Sequence, residues 1–334
     1  MSRPSFFVLL QRINSRNACK EIMINRELIR LKVVQLTYAY YQNEGRSYDV
    51  AEKELTFSLS KSYDLYHYLL QLLVELQKYA TRKDEVRLAR EKRTGIVAAA
   101  NSVHPDKQFA ENKLLSQLAC NQQLGEYLEN HASDWSEEEN FIKELYAQFI
   151  DSDIFQLYLN REDFSYEADR ELVRKLYKTF ICNNEKFDAL LEEQCLYWND
   201  DKEIIDSFIL KTIKRFQEGA AEKQALLPDY TSEEDREFAI NLFSATLKNE
   251  ESLRNLIRNN CKNWEFNRLA FMDVIIMQIA LAEILTFPSI PLNVSFNEYL
   301  DIAKVYSTPR SSSYINGLLD HIVKHLKKEN KLFK

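Results

Sequence analysis

Glycine and proline are nearly absent from this chain: 334 residues contain five glycines and six prolines, and no proline falls between Asp106 and Leu227. Both residues are poor in helix interiors, so their scarcity predicts a nearly all-α protein. Cysteine is sparse and odd in number: Cys19, Cys120, Cys182, Cys195 and Cys261 are widely spaced, without a CxxC pair. That pattern argues against a disulfide framework and reads as free, mostly buried thiols in a reducing compartment. No apolar run reaches the roughly 20 residues a membrane span requires. The apolar stretch Phe6–Leu10 is also shorter than a signal-peptide core of roughly seven to fifteen residues. The expectation is a cytoplasmic protein without a membrane partner. A net charge of −7 argues against indiscriminate coating of nucleic acid, but leaves room for a local basic site.

Catalytic signatures are missing as well. There is no glycine-rich phosphate loop and no GxSxG. His321 and His325 stand four apart near the end of the chain, a spacing that suits a metal, but two ligands make an incomplete site. They read as surface histidines. No enzyme, no metal and no cofactor are expected.

Residues 1–22 carry no acid before Glu21 and no sustained helical period, and Met23 precedes the first well-formed helix. They read as a leader upstream of a start at Met23, or as a basic arm that orders on RNA. From Ile24 to Gln42, Ile29, Val33, Leu36 and Tyr40 recur at helical spacing. Arg26 and Arg30 fall one turn apart on this helix, followed by Lys32, and Gly45 is placed to end it. Further helices are expected at Tyr63–Tyr79, Asn112–Glu129, Glu137–Phe149 and Glu167–Phe180. A Gly/Pro-marked loop separates Gly95 from Lys107, and a break falls between Glu218 and Asp229. The stretch Arg82–Arg93 has six basic residues against three acidic ones, and Lys324, Lys327, Lys328, Lys331 and Lys334 form a basic tail. Each reads as ordinary solvated charge or as an auxiliary RNA contact.

The segment Phe271–Leu285 is apolar except for Asp273, Gln278 and Glu283. At about 100° per residue these three scatter around the helix, so no face is left for water, and a central core helix is expected. The chain also resembles itself. At a shift of 66 residues, Asp169–Trp198 overlays Asp235–Trp264 with nine of thirty positions identical, including Cys195/Cys261 and Trp198/Trp264. Duplication of a helical hairpin is one reading; chance similarity of two amphipathic helix pairs is the other.

Near the C-terminus stand, in order, Ala280-Leu281-Ala282-Glu283-Ile284, Phe296-Asn297-Glu298 through Ala303-Lys304, and Tyr314-Ile315-Asn316-Gly317-Leu318-Leu319-Asp320, and this order of pieces is similar to that of the NusB family of transcription antitermination proteins. Ala280-Leu281-Ala282-Glu283-Ile284 stands for the family's A-L-x-E-L, and Phe296-Asn297-Glu298 through Ala303-Lys304 for its I-N-E-x-x-x-x-A-K. Tyr314-Ile315-Asn316-Gly317-Leu318-Leu319-Asp320 stands for F-V-N-G-x-L-D, and Gln35 and Tyr38 fall on the Gln and Tyr of the family's first helix. The resemblance implies an all-α, NusB-like helical bundle with an additional inserted helical region. Residues 23–45 would give its first helix, 46–230 the insertion and 231–334 its C-terminal part.

The resemblance also implies a function. Such a protein would bind boxA-like single-stranded RNA together with NusE, a small-subunit ribosomal protein, and act on the RNA polymerase elongation complex. Arg26, Arg30, Lys32 and Tyr314 would contact RNA, and Tyr38 and Asp273 would contact NusE. The sequence departs from the pattern where Glu27 and Leu28 interrupt the basic cluster, and where Arg310 and Asn293 replace the usual acid and Lys. Glu298 and Asn297 read as structural, and Gly317 as a point of close helix approach. The alternative is a helical adaptor that does not bind RNA and acts through its insertion. Fusion to a ribosomal RNA methyltransferase is disfavoured, because no glycine-rich cofactor segment follows Asp320.

Overall fold

The computed structural model describes residues 24–43, 47–95, 103–131, 135–161, 163–198, 200–229, 233–261, 266 and 269–333. The leader at 1–22, the start at Met23, Gly45 and Trp264 lie outside the described residues. Every regular element among those described is a helix, which makes the protein all-α. The chain divides into two compact units, one from Lys61–Leu227 and the other from the residues on either side of that segment, up to Ser60 and from Pro228 onward.

The flanking unit begins with α1 (Arg26–Gln42), whose start is fixed by the Asn25 side chain accepting from the Leu28 N–H at 2.9 Å. An Asn in this position satisfies one of the backbone donors that a helix start leaves open. After α2 (Tyr48–Thr94), which supplies residues 48–60 here, the unit resumes with α11 (Glu233–Lys248) and α12 (Glu250–Asn260). It closes with α13 (Phe271–Thr286), α14 (Leu292–Tyr306) and α15 (Ser311–Lys328). As its apolar sequence dictates, α13 is the centre: α1, α11, α12, α14 and α15 all pack on it, and Asp273 through Ile284 are buried without a gap. Each fully buried Ile or Leu contributes roughly 1.5–3 kcal/mol, so this helix anchors the unit.

The intervening unit contains the rest of α2, then α3 (Pro105–Ala110), α4 (Lys113–Ala119), α5 (Gln122–Asn130), α6 (Glu139–Asp151) and α7 (Asp153–Leu159). It ends with α8 (Tyr166–Phe180), α9 (Glu185–Gln194) and α10 (Lys202–Arg215). Tyr63–Tyr79 and Arg82–Arg93, separate stretches in the sequence pattern, belong to the single 47-residue helix α2. The expected helix Asn112–Glu129 divides in two, because Asn121 caps a new start by accepting from Leu124 N–H at 3.0 Å. Its core is aromatic: Trp135 stacks on Tyr68 at 4.2 Å, and the Trp198 indole N–H donates to the Lys61 carbonyl at 2.8 Å.

Two expectations are corrected. The thiols are free, but only Cys261 is buried among the four described; Cys120 is exposed. Gly317 does not mark close helix approach, since a Cβ placed there would meet nothing within 4 Å. No described helix is long and apolar enough to cross a membrane.

Candidate functional site

Asp273, Gln278 and Glu283 of α13 are the organising points of the flanking unit, each with its own set of partners. Glu283 is fully buried and accepts four hydrogen bonds. Arg30 donates two of them from α1, Nε to Oε2 at 2.7 Å and Nη2 to Oε1 at 3.0 Å. Ser295 Oγ donates at 2.6 Å and Tyr299 OH at 2.9 Å from α14. Arg30 reaches Glu298 as well, more loosely, at 3.4 Å. Burial works against the guanidinium's charge, but the Glu283 hydrogen bonds and charge outweigh it and raise its pKa above the ordinary value. Burial also pushes the Glu298 carboxyl up to about 7, against the opposing pull of Arg30.

Gln278 ties α13 to three helices. Its amide donates to Tyr41 OH at 2.7 Å and to the Thr246 carbonyl at 3.0 Å, and its carbonyl accepts from Arg254 Nε at 3.1 Å. Arg254 also lies over the Tyr41 ring at 4.3 Å. Asp273, in the first turn of the helix, accepts from Ser307 Oγ and from Ser311 Oγ at 2.9 Å, which pins the turn between α14 and α15.

This geometry redistributes the residues expected to bind. Arg30 is 3% exposed and Lys32 1%. Neither presents its charge to solvent, so the expectation of direct RNA contact is corrected for both. The physical reason for Arg30 is the buried carboxylate opposite it, which the sequence pattern does not reveal. Arg26 remains at the surface with 39% of its side chain exposed, donating Nε to Asp235 at 2.9 Å and lying over the Phe238 ring at 4.9 Å. Asp273 is buried, its carboxylate engaged by two serines, so it does not present itself to a partner as expected. Tyr314 is half-buried with its OH 3.5 Å from Cys261 Sγ.

Tyr38 is exposed and lies 5.8 Å from Phe271, which is equally exposed; Tyr41 meets the same ring edge-on at 6.1 Å. Phe271 and the Arg254–Tyr41 stack did not stand out in the sequence. For Phe271 the signal was the first-turn position of an aromatic in an otherwise core helix. His321 and His325 are both exposed, and no group of three or more metal-ligating side chains occurs among the described residues.

The model of the NusB family matches residues 203–324, so the match begins within α10 and runs through most of α15. The transcription antitermination protein NusB of Salinibacter ruber is 40% identical over 99 residues, which is 30% of this chain and 62% of the relative. The corresponding match to Chloroherpeton thalassium covers 47% of the relative. Against these two the chain thus spans about half to three-fifths of the relative's length. The NusB protein of Koribacter versatilis is 40% identical over 68% of its length, and that of Geotalea daltonii 32% identical over 134 residues, 40% of this chain and 89% of the relative. No solved structure matches. On the strength of the last two relatives, the chain belongs to the NusB family.

Proposed function

We propose that the protein is a transcription antitermination factor which, together with NusE, holds boxA-like single-stranded RNA of ribosomal transcripts and acts on the RNA polymerase elongation complex. What carries the reading is the joining of α1 to α13 and α14 through Arg30, Glu283 and Glu298, across more than 250 residues of sequence. In this reading the family's core is assembled despite the long intervening segment. In this reading 23–45 and 231–334 form the NusB-like domain and 46–230 the insertion, built in part by duplication of the hairpin that precedes α13.

RNA contact on α1 rests on Arg26, whose guanidinium suits both phosphate contact and stacking on an unpaired base, with Tyr314 as a second stacking residue. The partner surface is the exposed pair Tyr38 and Phe271, since aromatic side chains supply large contact area at low entropic cost. The burial of Arg30 and Lys32 thins the basic face, and this favours the adaptor as the second reading.

The test is fluorescence anisotropy with labelled boxA-like and scrambled RNA, with and without purified NusE. We expect preference for the boxA-like strand, strengthened by NusE, and a salt slope for Arg26→Ala that is shallower by about 0.7, the loss of one single-strand phosphate contact. Equal binding to both RNAs, unaffected by NusE, would overturn the proposal in favour of the adaptor.

A further inference from the structure

The C-terminal turns of α2 carry a segregated charge pattern that the fold uses only in part, through Lys83 and, more loosely, Arg82. Counting about 100° per residue, Arg82, Lys83, Arg90 and Arg93 fall with Val86 inside one arc of about 100°. Asp84, Glu85 and Glu91 lie on the opposite side. Arg87 stands between the two sets and donates to Asp84 at 2.6 Å and to Glu91 at 2.7 Å. These bonds one turn apart reinforce the helix and draw two of its three acids away from the basic face.

All five residues in the arc are exposed. Arg90 and Arg93 have no ion-pair partner among the described residues. Arg82 approaches Glu139 only at 3.9 Å, and Lys83 reaches Asp106 at 3.2 Å while remaining 45% exposed in its side chain. The helix from Arg82 to Arg93 is roughly 16 Å long, enough to follow several phosphates.

The geometry points to this face as a binding surface for the phosphate backbone of RNA, on the intervening unit and therefore additional to Arg26. It rests on the reading that the protein handles RNA. Three of its four cations are arginines, whose planar fork matches phosphate oxygens, and phosphate contacts need charge in a row rather than an apolar anchor. A membrane-surface helix needs a broad apolar face, yet the exposed Val86 and Leu88 lie on different sides. A protein interface would centre on buried aromatic or aliphatic anchors, and the arc offers only Val86.

The experiment uses the full chain and a labelled single-stranded RNA, with affinity followed across a salt series. For Arg82→Gln/Arg90→Gln/Arg93→Gln we expect roughly tenfold weaker binding and a log–log salt slope shallower by about 2, since each single-strand phosphate contact contributes about 0.7. Lys92→Gln, off the arc, should change little. All four positions are exposed, and an unchanged circular dichroism spectrum and melting curve confirm folding. Unchanged affinity and slope in the triple variant overturn the proposal, and so does an equal loss from Lys92→Gln. If Arg26→Ala weakens binding while the triple variant does not, only the α2 surface fails; if the unaltered chain binds no RNA, both readings fail. Displacement of the RNA by polyglutamate, charge for charge, would assign the face to an acidic protein instead.

Discussion

The hairpin α8–α9 in the intervening unit and the hairpin α11–α12 in the flanking unit bury the same register. At the 66-residue shift, Asp169, Leu172, Val173, Leu176 and Tyr177 correspond to Asp235, Phe238, Ala239, Leu242 and Phe243, and all ten are buried. Phe187 and Leu191 correspond likewise to Leu253 and Ile257. Cys195 and Cys261 each stand at the C-terminal cap of the second helix in extended conformation. What differs is the third helix. Against α8 packs the amphipathic α10, where Lys202 pairs with Asp206 one turn away at 2.8 Å. Against α11 packs α13, buried along its length, whose Glu283 pairs with Arg30 from the far end of the sequence. The same hairpin thus supports one ion pair that closes a single helical turn and another that ties the start of the chain to its end.

Removing the carboxylates separates these two cases and should have the largest effect. Glu283→Ala leaves buried Arg30 with only the looser contact to Glu298 and takes the acceptor from the Ser295 and Tyr299 hydroxyls, and breaking such a buried pair costs roughly 3–5 kcal/mol. Asp206→Ala takes the acceptor from the buried Tyr177 hydroxyl at 2.6 Å but should still cost less, roughly 1–3 kcal/mol. Lys202 still donates to the Ile181 and Cys182 carbonyls at 2.9 and 3.1 Å and lies 3.3 Å from Asp188. Urea unfolding followed by circular dichroism measures both; equal losses would show that the local and the long-range pair do the same work.

A smaller effect sharpens the comparison within the flanking unit. Glu283 is locked by four donors, whereas Glu298 meets Arg30 only at 3.4 Å, and burial raises its pKa to about 7. A carboxyl raised on folding stabilises the fold below its unfolded pKa of about 4.3 and loses that contribution as pH rises towards the folded value. Stability should therefore fall between about pH 4.3 and pH 7 through this group. Glu298→Gln should flatten that part of the curve by about 1 kcal/mol, allowing for solvent screening of a side chain that is partly exposed. Parallel pH profiles of the unaltered chain and the variant would disprove it.

Much of the fold is legible in the sequence, because α13 announces itself by apolar residues around its whole circumference and the hairpin register repeats. The single long helix α2 is not, since its apolar stripe ends near Tyr79 while its helix continues on intrahelical pairs such as Arg87 with Asp84 and Glu91. The site is less legible still. Arginines one turn apart on α1 look alike in the sequence, and only the long-range position of Glu283 decides that Arg30 faces inward while Arg26 stays at the surface. Asp273 likewise matched as an expected contact, but Ser307 and Ser311, more than thirty residues later, turn it into an anchor.

That contrast between Asp273 and Tyr38 supplies the prediction with the smallest effect on the fold. Tyr38 and Phe271 are exposed, so replacing either with alanine should change stability by about 1 kcal/mol, the loss of the ring pair with Phe271 for Tyr38 and of the pairs with Tyr38 and Tyr41 for Phe271. If the aromatic pair is the docking surface for NusE, each replacement should weaken that binding by about 2 kcal/mol, the size of an interface hot spot. Asp273→Asn should do the reverse. It keeps the size of the side chain but weakens its acceptance from Ser307 and Ser311, lowering stability by about 1 kcal/mol and affecting NusE binding only as far as the turn between α14 and α15 loosens. Titration calorimetry with purified NusE, alongside thermal unfolding of each variant, resolves the two. Loss of NusE binding in Asp273→Asn at unchanged stability would return the contact to the acid and remove it from the aromatic pair.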